Sequence, residues 1–245
     1  MGELDGRVAI VTGSSRGIGE ATAQRLSALG ATVVVNSSSS VAAGEGVAAA
    51  LPGPSLYVQG DISDQAQGQA LVDRTVAEFG RLDILVNNAG WTTVVPHADL
   101  DALTDEIFAK TFQVNVFGTW WLTKAAVPHL RKSPDGNVVT ITSMAGMRPV
   151  GSSIAYAMTK AALNHMTTLL AKSHAPVRFN AVAPGLVATP WTATWDAQHA
   201  AISKMAPLKR SATADDCAEV VLGLLRSKYV TGQVWAVEGG TTLVV

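Results

Sequence analysis

Short runs of apolar, β-branched residues alternate with longer stretches of helical periodicity along almost the whole chain, and this alternation restricts the fold more than any other feature. The runs are Val8–Val11, Thr32–Val35, Leu56–Gln59, Ile84–Val86, Val138–Thr142, Val177–Val182 and Gln233–Val237. Most are continuously apolar, as strands covered on both faces must be, and strands separated by helices pair in parallel through βαβ crossovers. The helical patterns cover Ile18–Leu29, Val41–Leu51, Asp64–Phe79, Thr104–Leu130, Ser153–Ser173 and Thr213–Ser227. Gly30 and Gly80 stand where a left-handed residue closes a helix, and the Asp61–Ser63 stretch offers caps for the third. No internal repeat and no linker interrupts the pattern. The expectation is an α/β protein, one doubly wound domain over residues 1–245 with a seven-stranded parallel sheet and helices on both faces.

Composition agrees and removes other classes. Hydrophobic residues make up 48% of the chain and charged residues only 15%, the opposite of a disordered balance. The formal net charge of −1 comes without a basic block, so neither nucleic acid nor a membrane surface is an expected partner. Cys217 is the only cysteine, which excludes an internal disulfide and a cysteine-based zinc site. The charge-poor stretch from Phe179 to Trp195 is broken by Pro184, Gly185 and Pro190, and no apolar run spans a bilayer. The first residues carry no signal-like pattern, so a soluble, cytoplasmic protein is expected. The mean hydropathy of +0.24 then reflects a sheet buried on both faces.

The motif that carries chemistry is Thr12-Gly13-Ser14-Ser15-Arg16-Gly17-Ile18-Gly19, which follows the first strand and opens the first helix. In that context Gly13 suits a sharp turn, Gly17 a close approach to pyrophosphate and Gly19 close helix–strand packing. The helix N-terminus adds free N–H groups for phosphate. A tight turn without a ligand is the alternative for this motif alone. Its spacing is Gly-x-x-x-Gly-x-Gly, not the Gly-x-Gly-x-x-Gly of the general dinucleotide fingerprint.

With that spacing the chain resembles the short-chain dehydrogenase/reductase family, and the resemblance continues in register. Asn87-Asn88-Ala89-Gly90 follows the fourth strand, Asn115 lies in the central helical pattern, and Ser143 closes the fifth strand. Tyr156-Ala-Met-Thr-Lys160 lies on the next helix, and Pro184-Gly185 and Thr189 follow the sixth strand. The resemblance implies a Rossmann fold and an oxidoreductase interconverting carbonyl and alcohol. It makes Tyr156 the proton donor and acceptor and Ser143 the group that orients the substrate. It makes Lys160 the group that lowers the Tyr156 pKa and binds the nicotinamide ribose, and Asn115 the holder of a relay water. Residue chemistry is consistent: Tyr156 and Lys160 share a helix face, and a nearby ammonium favours a phenolate. The resemblance also assigns the cofactor to Gly13, Ser15, Arg16, Gly17, Ile18 and Gly19, and its adenosine side to Asn88, Ala89 and Gly90. Asp61 and Ile62 would contact adenine, with Pro184, Gly185 and Thr189 nearer the carboxamide or pyrophosphate. Enoyl reductases of the family place Tyr and Lys further apart than four residues, which argues against C=C reduction.

An NAD-specific site ends the second strand with a carboxylate that accepts from the ribose 2′-OH. Here Asn36, Ser37 and Ser38 stand there and the next carboxylate is Glu45. A 2′-phosphate would meet no like charge and could be bound by Arg16 and the serine hydroxyls. NADP(H) is therefore expected, with NAD(H) as the alternative if the polar loop accepts either.

Trp91, Met144, Val150, Trp191 and Trp195 are expected to border the nicotinamide, as a wide apolar pocket for a bulky ketone or 3-oxoacyl compound. Packing of Trp191 and Trp195 beneath a lid helix is the alternative. Trp120 and Trp121 suit the core or a subunit interface, and the family resemblance implies a homotetramer. His97, His129, His165, His174 and His199 show no metal-ligand spacing, so no metal is expected. Around His174-Ala-Pro-Val-Arg178 the chain is shorter than the family pattern, at the end of the sheet away from the site. A non-catalytic dinucleotide sensor of the same fold is the other functional class; the intact Asn115, Ser143, Tyr156 and Lys160 set argues against it.

Overall fold

The structure is a computed structural model that describes residues 2–244. Its first half runs β1 (Val8–Val11), α1 (Gly17–Ala28), β2 (Thr32–Ser37), α2 (Val41–Ala50), β3 (Ser55–Gln59), α3 (Gln65–Phe79) and β4 (Ile84–Asn87). Then follow α4 (Asp105–Phe112), a π-helical turn (Gln113–Gly118), α5 (Thr119–Leu130), β5 (Asn137–Ile141), α6 (Ile154–Ser173) and β6 (Arg178–Pro184). The chain closes with β7 (Val187–Ala188), α7 (Asp196–Met205), β8 (Ala212–Thr213), α8 (Ala214–Arg226) and β9 (Val234–Val237).

Seven strands form one sheet in the order β3-β2-β1-β4-β5-β6-β9, every pair parallel. This is the Rossmann arrangement expected from the alternation of runs. Successive strand residues feed opposite cores. Ala9, Val11, Val33, Val35, Ile84 and Val86 pack with α1, α2 and α8, whereas Ile10, Val34, Leu85 and Phe179 pack with α3, α5 and α6. Each fully buried valine, leucine, isoleucine or phenylalanine contributes roughly 1.5–3 kcal/mol, which is why the inner strands are mostly apolar on both faces. Sheet order reverses between β1 and β4, opening a crevice beyond their carboxyl ends.

The third helix is capped one residue beyond the expected Asp61–Ser63 stretch. Asp64 accepts from the N–H groups of Ala66 and Gln67, and Gly80 closes α3 with φ of 73°. Several regions differ from the sequence reading. The expected helix over 104–130 is split by the π-helical turn, and the second strand runs on through Asn36 and Ser37. The small β7–β8 sheet was not expected, and α7, which the sequence raised only as a possible lid, contributes no buried side chain. No helix among the described residues is long and apolar enough to cross a membrane.

At the edge of the sheet away from the crevice, two carboxylates gather the chain. Asp83 accepts from Arg81, the Ser133 hydroxyl and the Val8 N–H. Asp135 is paired with Arg7, Arg178 and Lys228, while Arg178 also donates to the carbonyls of Leu224, Leu225 and Ser227 at the end of α8. Burial alone would raise both carboxyls, but these hydrogen bonds and cations hold them below the ordinary carboxylate range. A pKa lower in the folded than in the unfolded state gives stability that is complete above the unfolded value, near pH 4, and is lost as pH falls through the folded one. Asp135→Asn is expected to destabilise the protein by about 3 kcal/mol at neutral pH, because it leaves Arg178 buried beside an uncharged partner. In denaturation curves across pH, the variant should also show a shallower acid limb than the parent.

Candidate active site

The glycine-rich turn and the loop after β4 meet backbone to backbone. Gly13 has φ of 60°, and a Cβ there would lie 2.9 Å from the Ala89 Cα. The buried Thr12 hydroxyl accepts from the N–H groups of Asn88 and Ala89, both at 3.0 Å. The Asn88 amide donates back to the carbonyls of Thr12 and Gly13, and a Cβ on Gly19 would collide with it at 2.5 Å. Arg16 precedes α1 in extended conformation and makes no side-chain cap, so the N–H groups of Gly17, Ile18 and Gly19 keep their capacity for an anion. A cavity of about 310 Å³ lies beside this turn, lined by Gly17, Glu20, Thr189, Pro190 and Ala214 among others. The residues present fit a dinucleotide phosphate by the chemistry of their donors: backbone N–H groups of a glycine-rich turn at a helix N-terminus with no side-chain cap.

At the end of β2 the expected ligands separate. The Asn36 amide is spent on the carbonyls of Val58 and Gly60, and the Ser37 hydroxyl is buried against the Tyr57 hydroxyl at 2.9 Å. Arg16 and Ser38 are the exposed members of the set. Ser15 is buried in the turn. Asp61 accepts from the N–H and hydroxyl of Ser63, and Ile62 is buried against the π-helical turn at Gly118.

Asn115 from the π-helical turn, Ser143 from the end of β5, and Tyr156 and Lys160 from α6 come to one place, beyond the carboxyl ends of β4 and β5. A π-helical turn displaces the residues it contains relative to the α-helices on either side, and Asn115 lies within it. Its side chain accepts from the Trp91 N–H at 2.7 Å and donates to the Trp91 carbonyl and the Thr159 hydroxyl. Both amide hydrogens are thereby used, so the side chain acts as a strut between the β4 loop and α6. The Ser143 hydroxyl accepts from the Ala145 N–H.

The charge state of the pair on α6 differs from the expectation. Lys160 is buried and donates from Nζ to the Ile141 carbonyl at 2.9 Å, with Nζ 5.5 Å from the centre of the Tyr156 ring. Burial brings its pKa down to about 8. The Tyr156 phenol is pushed up to about 12 by burial, with the Ser143 hydroxyl pulling the other way. No lowering by Lys160 accompanies this, because its ammonium is turned to the Ile141 carbonyl.

Gly90 marks the centre of this region. A Cβ placed on it would lie 3.3 Å from Asn115 Oδ1, and 3.8 Å from both Lys160 Nζ and the tip of the Trp191 ring. Trp91, on the adjoining residue, carries Lys110 Nζ 4.5 Å above its ring. Of the other expected lining residues, Val150 is exposed, Trp195 is half-buried and Met144 is buried in the turn after β5. Pro184 is buried at the end of β6, Gly185 packs against Glu238, and Thr189 lies across from Gly17. Trp120 is exposed and not part of the core. Among the described residues no cluster of His, Cys, Asp and Glu could hold a metal ion.

A family model described as enoyl-(acyl-carrier-protein) reductase matches residues 13–242. A Streptomyces violaceoruber protein, named as a ketoacyl reductase of granaticin polyketide synthase, is 52% identical over 96% of each chain. The chain belongs to the short-chain dehydrogenase/reductase family. Another relative in that family, a 3-oxoacyl-(acyl-carrier-protein) reductase from Thermotoga maritima, is 35% identical over 98% of this chain and 99% of its own. The crystal structure of 3-ketoacyl-(acyl-carrier-protein) reductase from Brucella melitensis complexed with NADH superimposes with a TM-score of 0.91. It is 31% identical and covers 98% of this chain and all of that one. The protein is thus a short-chain dehydrogenase/reductase enzyme that uses a nicotinamide dinucleotide.

Sequence reasoning quoted Thr12 and Thr159 within their motifs without giving either a role, yet they join the motif residues to one another. The only signal for Thr12 was its place at the carboxyl end of the first strand, next to Gly13. Thr12→Val keeps the shape but leaves two N–H groups without their acceptor. It should cost about 2 kcal/mol in chemical denaturation and weaken dinucleotide binding, whereas Thr12→Ser should stay close to the parent in both.

Proposed function

We propose that this chain is a single-domain, NADP(H)-preferring reductase that interconverts a ketone and a secondary alcohol. The observation that carries the reading is that Asn115 and Lys160 meet at Gly90, with Ser143 facing Tyr156 on the same helix as Lys160, near the glycine-rich turn. The dinucleotide supplies the hydride for reduction and takes it back in oxidation. Tyr156, kept protonated by burial, donates its phenolic proton to the carbonyl oxygen as that oxygen gains charge. The Ser143 hydroxyl donates to the same oxygen and holds it beside the phenol. Lys160 stabilises the phenolate left behind and meets the nicotinamide ribose. Asn115 keeps α6 in register with the β4 loop.

Tyr156 and Lys160 four residues apart support carbonyl reduction over the enoyl chemistry in the matching model's description. Trp91 and Trp191 beside Gly90 support a bulky apolar or 3-oxoacyl substrate, in keeping with the names of the relatives. Exposed Phe117, Trp120 and Leu169 support burial against further copies of this chain in a homotetramer.

Tyr156→Phe should lower carbonyl reduction about a thousandfold while fluorescence titration shows unchanged NADPH binding. In the parent, kcat/KM for reduction should fall as pH rises through about 8, where Lys160 gives up the proton that stabilises the phenolate. Arg16→Ala tests the cofactor choice. It should weaken NADPH binding about tenfold or more and leave NADH binding unchanged, since only the 2′-phosphate needs a cation there.

A further inference from the structure

His199, on α7, joins parts of the segment between β6 and α8 that packing leaves loose. Its Nε2 lies 3.1 Å from the Thr192 hydroxyl and 3.3 Å from the Thr192 carbonyl, and its Nδ1 lies 2.7 Å from the Ser211 hydroxyl. The tautomer follows from the partners. The Thr192 hydroxyl donates its own proton to the Val187 carbonyl at 2.6 Å, so both neighbours of Nε2 are acceptors and Nε2 carries the hydrogen. Nδ1 then accepts from the Ser211 hydroxyl, and the ring is satisfied on both sides.

Thr192 ends the three-residue turn that begins at Pro190 and has Trp191 at its centre, and its hydroxyl also takes the Thr189 N–H. Trp191 is 48% exposed, yet its ring tip stands opposite Gly90, beside Lys160 and Asn115. α7, which follows this turn, contributes no buried side chain, so apolar packing of that helix does not hold the turn in place. The fixed points are Thr192 and Ser211, and the imidazole bridges them.

We propose that His199 is a positioning residue that, through Thr192, sets where Trp191 stands across from Gly90. It thereby sets the width of the opening through which a carbonyl compound reaches Tyr156. The consequence for turnover rests on the reductase reading above; the consequence for the segment itself does not.

Hydrogen exchange tests the segment directly. In His199→Ala, amides of residues 190–205 should exchange about tenfold faster while those of α8 keep the parental rate, as expected when two hydrogen bonds are lost locally. Unchanged exchange in 190–205 overturns the proposal, whether or not any carbonyl is turned over. Kinetics then test the link to Trp191 with one bulky and one small ketone that the parent reduces. His199→Ala should raise KM about tenfold with kcat nearly unchanged, and it should narrow the preference between the two ketones. In a Trp191→Ala background the same substitution should have no further effect on KM; additive effects overturn the coupling. If the parent reduces no carbonyl at all, the reductase reading fails while the exchange result still decides the role of His199.

Discussion

Everything at the crevice depends on the close approach of two backbones, the turn after β1 and the loop after β4. With no Cβ at Gly13 and none at Gly19, the loop can lie on the turn, and the Thr12 hydroxyl then closes the joint by taking two N–H groups. From there the order passes outward. Gly90 and Trp91 are placed by the joint, Asn115 grips the Trp91 peptide, and Thr159 links Asn115 to the carbonyl of Tyr156. The phosphate cradle and the proton-handling side chains are thus parts of one hydrogen-bonded frame.

The same burial that makes this frame rigid sets its protonation. Burial raises the phenol and lowers the amine, so Tyr156 keeps its proton and Lys160 gives up its own more readily than a solvated lysine does. The opposite edge of the sheet uses the reverse strategy. There Asp83 and Asp135 stay charged because cations and N–H groups surround them, and the charge fastens strand starts to the end of α8.

Much of the fold was legible because a two-faced sheet writes itself as continuous apolar runs, and β1 matches its run residue for residue. The motif residues were legible through spacing along single elements. What escaped depends on partners distant in sequence. The fate of Asn36 and Ser37 is decided on β3 by Tyr57, Val58 and Gly60, which nothing in the β2 pattern reveals. The π-helical turn interrupts a helical pattern without a proline or a break in apolar residues, so the sequence shows only one long helix. Strands of two residues, such as β7 and β8, are too short to carry a period, and α7 buries nothing and so has no apolar stripe to read.

That last feature bears on how such an enzyme can change over evolutionary time. A helix that lends nothing to either core can be rewritten with little penalty in folding free energy, since neutral drift is limited chiefly by what it does to stability. The sheet and its crevice are not free in this way, because each inner strand residue is committed on one face or the other. The chain is therefore divided into a conservative chassis and an inexpensive helix, α7, whose surface can be rewritten while the chassis is left alone.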